Sequence, residues 1–540
     1  MHGAACAVAA PGIASAQTDP ASVERTIPKF EERAPQPSPQ LLNPSVLQQE
    51  NARIGGTFVL GAVNITGATV FSSEELAKSF DPYLASRVGQ TELNKIVADI
   101  TDRYRRAGYL LSYAVLPEQS VASGIVNIRV VEGFISDVHL EGTSYAARSA
   151  KAAAEALLKD RPLRTSTLER SLAIIRKIPG ATVKDATLSR SPNDPQLHTL
   201  TIILGGSRVG GIVYSDNRGT IEGARARAYA SVAAASVLTS GDQLQLDLFG
   251  IPSDKFRYWY GQLKASAPLD SDGLRFAVSA SRGDQFERIL SQHQRGNSRQ
   301  FAGELILPLS QSRALEVNGH LSISDWLSRE RIAGVLAQRD RLDVARAWVD
   351  IARVSKNRLD VRLGVSQGLD FGSATQAGDP LATRQFGSAK FTKFNADAQL
   401  TAPLSERVYL RMDNSAQFST RSLLASEEFA LGGSRIGRAY DFNAVTGDSG
   451  FGAMTEINYR PPNVTIGPKD LNLFAYADAG AAFRKRGSAG LPRHQWLASV
   501  GAGARFTLFD ILWSGELGLA MHTAISSGGP RAFFSAARPF

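Results

Sequence analysis

Residues 205–540 carry a two-residue rhythm of apolar and polar positions. Leu244, Leu246 and Leu248 alternate with Gln243, Gln245 and Asp247, and Leu359, Val361 and Leu363 with Arg358, Asp360 and Arg362. Residues 496–507 continue it, with Trp496, Ala498 and Val500 set against Leu497, Ser499 and Gly501. Leu517 and Leu519 are likewise set against Glu516 and Gly518. Successive strand side chains point to opposite faces, so each run predicts a strand with one apolar face and one polar or small face. Closed on itself, with the apolar face in lipid and the polar face around water, such a set of strands predicts a transmembrane antiparallel β-barrel. A large soluble β-sandwich or β-helix would also alternate. The length of 496–507 and two short Gly/Asp-rich turns, 239–242 and 270–273, favour the barrel.

Upstream the period changes. Residues 58–65 read as a strand, and Ser72-Ser73-Glu74-Glu75 as a helix start with a hydroxyl cap and acids in the first turn. Leu93, Ile96, Val97, Ile100 and Tyr104 recur at helical spacing, and Gly108 stands where a helix ends. Residues 110–116 and 125–131 read as strands, the second running into Glu132-Gly133. The same order then returns: a strand over 135–140, a helix over 147–158, a second carrying Leu168, Leu172 and Ile175, and strands over 182–188 and 197–204. This β-α-α-β-β pattern, twice in about 150 residues, predicts two α+β modules, 53–133 and 134–204.

The first residues read as processing signals. Residues 1–16 are small and apolar and end in Ala14-Ser15-Ala16, an A-x-A pattern, but lack a basic start; they predict a truncated signal peptide. Residues 17–52 form an N-terminal segment and linker with Pro28, Pro35, Pro37, Pro39 and Pro44, in which 20–34 could form a short polar helix. Cys6 is the sole cysteine, so no internal disulfide can form.

Composition narrows the function. Charged residues are 21% and hydrophobic residues 43%, which excludes a largely disordered chain. No apolar run reaches the roughly 18 residues of a spanning helix. The formal charge of +9 is spread along the chain rather than gathered in a patch, so a nucleic-acid partner is not expected. The seven histidines show no H-x-x-x-H or H-E-x-x-H grouping, and no G-x-S-x-G occurs, so neither a metal hydrolase nor a nucleophile elbow is indicated. Gly501-Ala502-Gly503-Ala504 lies in an alternating strand and reads as relief of crowding, not a dinucleotide loop.

Several motifs carry a family resemblance. Tyr214-Ser215-Asp216-Asn217-Arg218-Gly219 resembles a D-N-x-G first-strand turn, and Leu431-Gly432-Gly433-Ser434-Arg435-Ile436-Gly437-Arg438-Ala439-Tyr440 a G-G…V-R-G-[FY] loop motif. Gly447-Asp448-Ser449-Gly450 follows, and Tyr476-Ala477-Asp478-Ala479-Gly480 resembles [FG]-x-D-x-G. The terminal Phe540, with Phe534 on the same strand face, resembles a barrel-assembly signal. In this order, behind two modules, they resemble the two-partner-secretion transporters (TpsB; the ShlB/FhaC/HecB haemolysin secretion/activation family) of the POTRA-barrel superfamily.

The resemblance implies α+β periplasmic POTRA modules followed by a barrel of 16 strands over 205–540, in the outer membrane of a diderm bacterium. It implies secretion of a large, unfolded partner exoprotein, engaged by the POTRA modules and passed through the barrel, with no cofactor and no enzymatic step. Outer-membrane lipid and the barrel-assembly machinery are the other implied partners. It places Gly432, Gly433, Arg438 and Tyr440 on a transport loop folded into the lumen, with Asp478 and Gly480 on the inner wall. Arg438 would pair there with Asp478. Ala439 replaces the motif glycine, and because alanine disfavours φ > 0, a different loop tip is expected. A barrel-assembly insertase and, less favoured, a passive porin are the alternative readings.

Overall fold

The computed structural model describes Val23, Thr26, Ile27 and residues 51–540 except 220–224, 255, 290–291, 463–468, 487–491 and 523–528. The signal segment 1–16, Cys6 and the Pro-rich linker lie outside the described residues, as does most of the polar helix expected over 20–34.

The first module is a three-stranded sheet beside one long helix. Ala62–Thr66 pairs in parallel with Ile125–Val131, which pairs antiparallel with Tyr113–Val115. The helix Gln90–Arg106 buries Leu93, Ile96, Val97, Ile100 and Tyr104 against that sheet, and Gly108 follows it at φ +88°. Ser72 caps the helix Ser73–Ala77 in a reciprocal capping box with Glu75. The strand expected over 58–65 is divided: Phe58–Val59 pairs instead with Arg87–Val88, and the main-chain N–H of Gly61 donates to Gly124 at 2.8 Å. The strand expected over 110–116 shortens to Tyr113–Val115, because Ser112 turns back onto Tyr109 at 3.1 Å.

The second module repeats the connectivity. Phe134–Gly142 is parallel to Leu197–Gly205, which is antiparallel to Thr182–Arg190. The helix Thr165–Lys177 buries Leu168, Leu172 and Ile175, and the expected helix over 147–158 divides into Ala147–Ala154 and the 3-10 turn Glu155–Lys159. At the junction, buried Glu132 accepts from the main chain of Thr69 (2.7 Å) and Val70 (3.0 Å), from the Tyr104 hydroxyl (2.7 Å) and from the Thr69 hydroxyl. Burial works to raise its pKa, but these donors outweigh it and hold the carboxyl below its ordinary range.

Sixteen strands then close into a barrel, the first, Val209–Asp216, pairing with both Arg227–Ala235 and the last, Pro530–Pro539. Phe540 extends this closure, exchanging two 3.0 Å main-chain bonds with Gly211 while its ring points outward. The alternation divides the faces as the sequence requires: Leu244, Leu246 and Leu248 are exposed on the outside, while Asp247 and Phe249 are buried on the inside. Strands run from 8 to 20 residues. The two predicted turns lie at one end, against the second module. There Ser149 Oγ donates to the Ser240 carbonyl at 2.7 Å, and Lys177 Nζ lies 2.9 Å from Glu316. The modules implied to be periplasmic thus mark that end of the barrel. No helix among the described residues is long and apolar enough to cross a membrane.

Candidate functional site

The connection 420–448, between the strands Val408–Ser419 and Ser449–Tyr459, folds into the barrel instead of standing outside it. Its stem is a small hairpin, Phe429–Leu431 against Val445–Gly447. Its apolar residues Phe429, Leu431, Ile436 and Tyr440 pack on Met454, Phe474, Tyr476 and Leu497 of the inner wall. The wall makes room with glycine. A Cβ on Gly450 would stand 2.2 Å from the Phe429 ring, and one on Gly480 would stand 2.6 Å from Leu431. At the tip, Gly432, Gly433 and Gly437 have φ of +104°, +108° and +81°, a region closed to most side chains. Ala439 is not among the positive-φ residues. The alanine therefore meets no backbone penalty, and the expected change of loop tip has no conformational cause.

Arg438 sits at the tip, 4% exposed. Its Nη1 donates to Glu456 Oε2 at 2.6 Å and its Nη2 to Glu516 Oε2, carboxylates of two different wall strands. Its guanidinium carbon lies 3.9 Å from the Tyr476 ring centre. Glu456 is also held by Arg505 through two 2.8 Å bonds, and Glu516 by Arg218. Arg218 further donates to the main-chain carbonyl of Arg438 at 3.0 Å and lies over Phe533. The result is a chain, Arg218–Glu516–Arg438–Glu456–Arg505, buried as far as Glu456 and ending on the partly exposed Arg505, in which each glutamate is shared by two arginines. Such sharing is what offsets the desolvation of buried charge.

The expected Arg438–Asp478 side-chain pair is not formed. Asp478 Oδ2 accepts the main-chain N–H of Arg438 at 3.1 Å, and Oδ1 accepts from Ser499 Oγ at 2.6 Å. The guanidinium reaches past Asp478 to carboxylates deeper in the wall. Tyr440 lies 3.0 Å from the Ala498 carbonyl and accepts from the His522 N–H at 2.9 Å, so it pins the tip on the neighbouring strands. The sequence reading missed Glu456, Glu516 and Arg505 and gave Arg218 no role. Their one signal was an ionised residue on the small-residue face of a strand.

Two further contacts fix the loop. Glu427 lies 2.6 Å from Arg346 and 2.7 Å from Lys393, on strands just before the one that leads into the loop. Asp448 accepts from Arg384 at 2.6 Å and from the N–H groups of Leu423 and Lys485 at 2.8 Å each, which ties three connections together. Near the first strand, Val23 and Ile27 pack on Tyr229, Phe249 and Tyr258 of the inner wall. Arg227 holds Asp216 through its Nε at 2.8 Å, donates to the Thr26 carbonyl at 3.0 Å, and lies over Phe442 of the loop. Among the described residues no group of three or more His, Cys, Asp or Glu could hold a metal ion.

A closed 16-strand barrel with an occupied lumen and α+β modules at its periplasmic end defines a protein-handling outer-membrane barrel, not an open pore. Residues 58–133 match the POTRA domain, ShlB-type, and residues 205–506 match the haemolysin secretion/activation protein ShlB/FhaC/HecB; the chain belongs to that family. It is an outer-membrane transporter of two-partner secretion, which exports a partner protein, and its role is that of a transporter. The heme/hemopexin transporter protein HuxB of Haemophilus influenzae (strain 86-028NP) is 24% identical over 81% of this chain and 78% of its own length. The outer membrane transporter CdiB of Dickeya dadantii (strain 3937) is 22% identical over 84% and 82%. Among solved structures, CdiB from Escherichia coli superposes with a TM-score of 0.74 at 17% identity, covering 99% of this chain and 100% of that one. BamA from Haemophilus ducreyi superposes at 0.51 and 13% identity, over 89% and 100%, a likeness of fold alone.

Proposed function

We propose that the loop 420–448 is the moving part of export, held in the lumen at rest by Arg438. The observation that carries this is the guanidinium, buried and shared between Glu456 and Glu516, at the tip of a loop that fills the path. Gly432 and Gly433 let the tip turn, Tyr440 fastens it to the wall, and Gly480 leaves space for Leu431. Asp478 acts through the main chain of residue 438. An exported partner passing unfolded needs this loop displaced.

In the same proposal residues 134–204 are a second POTRA module, supported by sheet connectivity identical to that of the first. Both modules offer sheet edges, Ala62–Thr66 in the first and Phe134–Gly142 in the second, where an extended client can add a strand through backbone bonds. Phe540 is the residue read by the barrel-assembly machinery, and residues 1–16 are an export signal. The test is Arg438→Ala in cells, with the partner identified as the protein lost from the medium when the gene is deleted. We expect at least a tenfold fall in exported partner with outer-membrane barrel levels unchanged, because the loop must return to its docked place after each passage, and a smaller fall for Arg438→Lys, which keeps the charge but not the fork between Glu456 and Glu516. Normal export by Arg438→Ala would refute the role.

A further inference from the structure

The outer face of the barrel carries a charge pattern that its transport path does not use. The strands Arg275–Ile289, Gln292–Gln311, Leu315–Ile332 and Val335–Val354 include the longest of the barrel. At about 3.3 Å per residue and a tilt near 45°, a 20-residue strand rises about 47 Å, well beyond an apolar band of about 25 Å. Their periplasmic ends are fixed by the second module, so the excess projects outside the cell.

Across these strands the outward positions form rows. In the lower rows Phe276 faces Leu305 and Leu305 faces Leu321, then Val278 faces Gly303 and Gly303 faces Ile323. These are lipid-facing, and all but Val278 line an apolar groove of about 600 Å³ whose floor is opened by Gly303 and Ala345. A few rows higher the chemistry inverts. Arg282 faces Arg299, Arg329 faces Arg339, and Arg295 faces Arg331, each pair directly across the ladder. Like charges directly opposite are destabilising, and here three such pairs stand side by side. Nearby acids answer only part of them: Asp284 holds Arg282 at 2.8 Å, Asp325 lies 3.4 Å from Arg341, and Asp379 lies 4.0 Å from Arg339. Asp343 stands across the ladder from Asp325. Arg295, Arg299, Arg329 and Arg331 have no acidic partner among the described residues.

We infer that this face binds a phosphorylated glycolipid of the outer leaflet, lipopolysaccharide, with its phosphates on the arginine rows and an acyl chain in the groove below. The spacing suits one molecule. Arg299 stands four residues from Gly303, about 13 Å along the strand, which is headgroup above chain. Four strands span about 15 Å, the width of several acyl chains. Guanidinium forks match phosphate oxygens in pairs, and an anion shared between facing arginines removes the repulsion that the bare sheet carries.

The experiment uses the full chain in detergent and native mass spectrometry. The probes are bisphosphorylated lipid A, its dephosphorylated form, phosphatidylethanolamine and, as a soluble polyanion, heparin. We expect lipid A to remain bound, with the dephosphorylated form and phosphatidylethanolamine at least tenfold weaker. The double variant Arg299→Ala/Arg329→Ala should lose at least tenfold in lipid A affinity, and the corresponding double lysine variant, which keeps the charges but not the forks, should fall between it and the parent. Gly303→Leu, which fills the groove without touching a charge, should lose at least threefold. In lipid-free detergent the double alanine variant should melt at or above the parent temperature, because it relieves like-charge contacts. Unchanged lipid A binding by the alanine variant would overturn the inference, as would equal binding of the dephosphorylated lipid. Heparin bound more tightly than lipid A at the same arginines would assign the face to a soluble polyanion instead.

Discussion

Replacing Arg438 by alanine should free the loop without disordering the wall, and the contact geometry sets the size of the effect. Arg438 makes one charge-assisted bond to each of Glu456 and Glu516, and its Nε has no partner among the described residues. Bonds to charged groups contribute about 1.5–3 kcal/mol each. The low end applies here, because Glu456 keeps both bonds from Arg505 and Glu516 keeps Arg218, so no carboxylate is left unpaired. The docked loop should therefore lose about 3 kcal/mol, which is about 150-fold in its open population at 1.36 kcal/mol per decade. The assay is maleimide labelling of Ile436→Cys, a position 4% exposed when the loop is docked, in a chain whose sole cysteine, Cys6, is changed to serine. When labelling is slow against reclosing, its rate follows the open population. Adding Arg438→Ala should raise that rate about a hundredfold, with heat-modifiable gel mobility unchanged. A rise below fivefold would mean that apolar packing of the loop, not the shared arginine, keeps it in place.

Other outcomes follow from the same geometry. Gly480→Val places a Cβ 2.6 Å from a Leu431 methyl and 2.7 Å from the Phe451 carbonyl, so both the loop and the adjoining strand are pushed and loop docking weakens; ion conductance of the barrel in planar bilayers should rise severalfold, and an unchanged trace would contradict the packing. Glu132 has a folded pKa held below its unfolded one, so its contribution to stability is complete above the unfolded value of about 4.3 and is lost as pH falls through the folded one. Glu132→Gln should lower the melting temperature of the periplasmic modules at pH 7 and flatten its fall below pH 4.5, read by circular dichroism. Deleting Phe540 removes two main-chain bonds at the closing strand and should reduce outer-membrane levels of the barrel at least fivefold, measured by immunoblot of membrane fractions.

Much of the architecture was legible because strand and helix periods are local. The alternation of Leu244, Leu246 and Leu248 gave a strand and its lipid face together, and the spacing from Leu93 to Tyr104 gave a helix and its buried side. The wiring of the lumen was not legible, for a geometric reason. Glu456 and Glu516 lie 60 positions apart and meet around Arg438 only because the sheet closes and the loop enters. Alternation says which face a residue is on, never which residue stands across the lumen. Asp478 meets Arg438 through the main chain and not through the guanidinium, a distinction invisible in side-chain identity. Ala439 teaches the converse. Its substitution looked costly only while φ was unknown.

The hold on Thr26 has a consequence of a different kind. Arg227 grips the peptide carbonyl of residue 26, and Asp216 and Phe442 fix the arginine from either side. A grip on a carbonyl is indifferent to which side chain occupies the position. Residue 26 can thus change its side chain without losing this bond, provided that the arginine stays, while Val23 and Ile27 hold the wall by their own side chains. Any attempt to alter how this segment sits in the barrel is better aimed at Arg227 and Asp216, at the ends of their strands away from the modules, than at residue 26 itself.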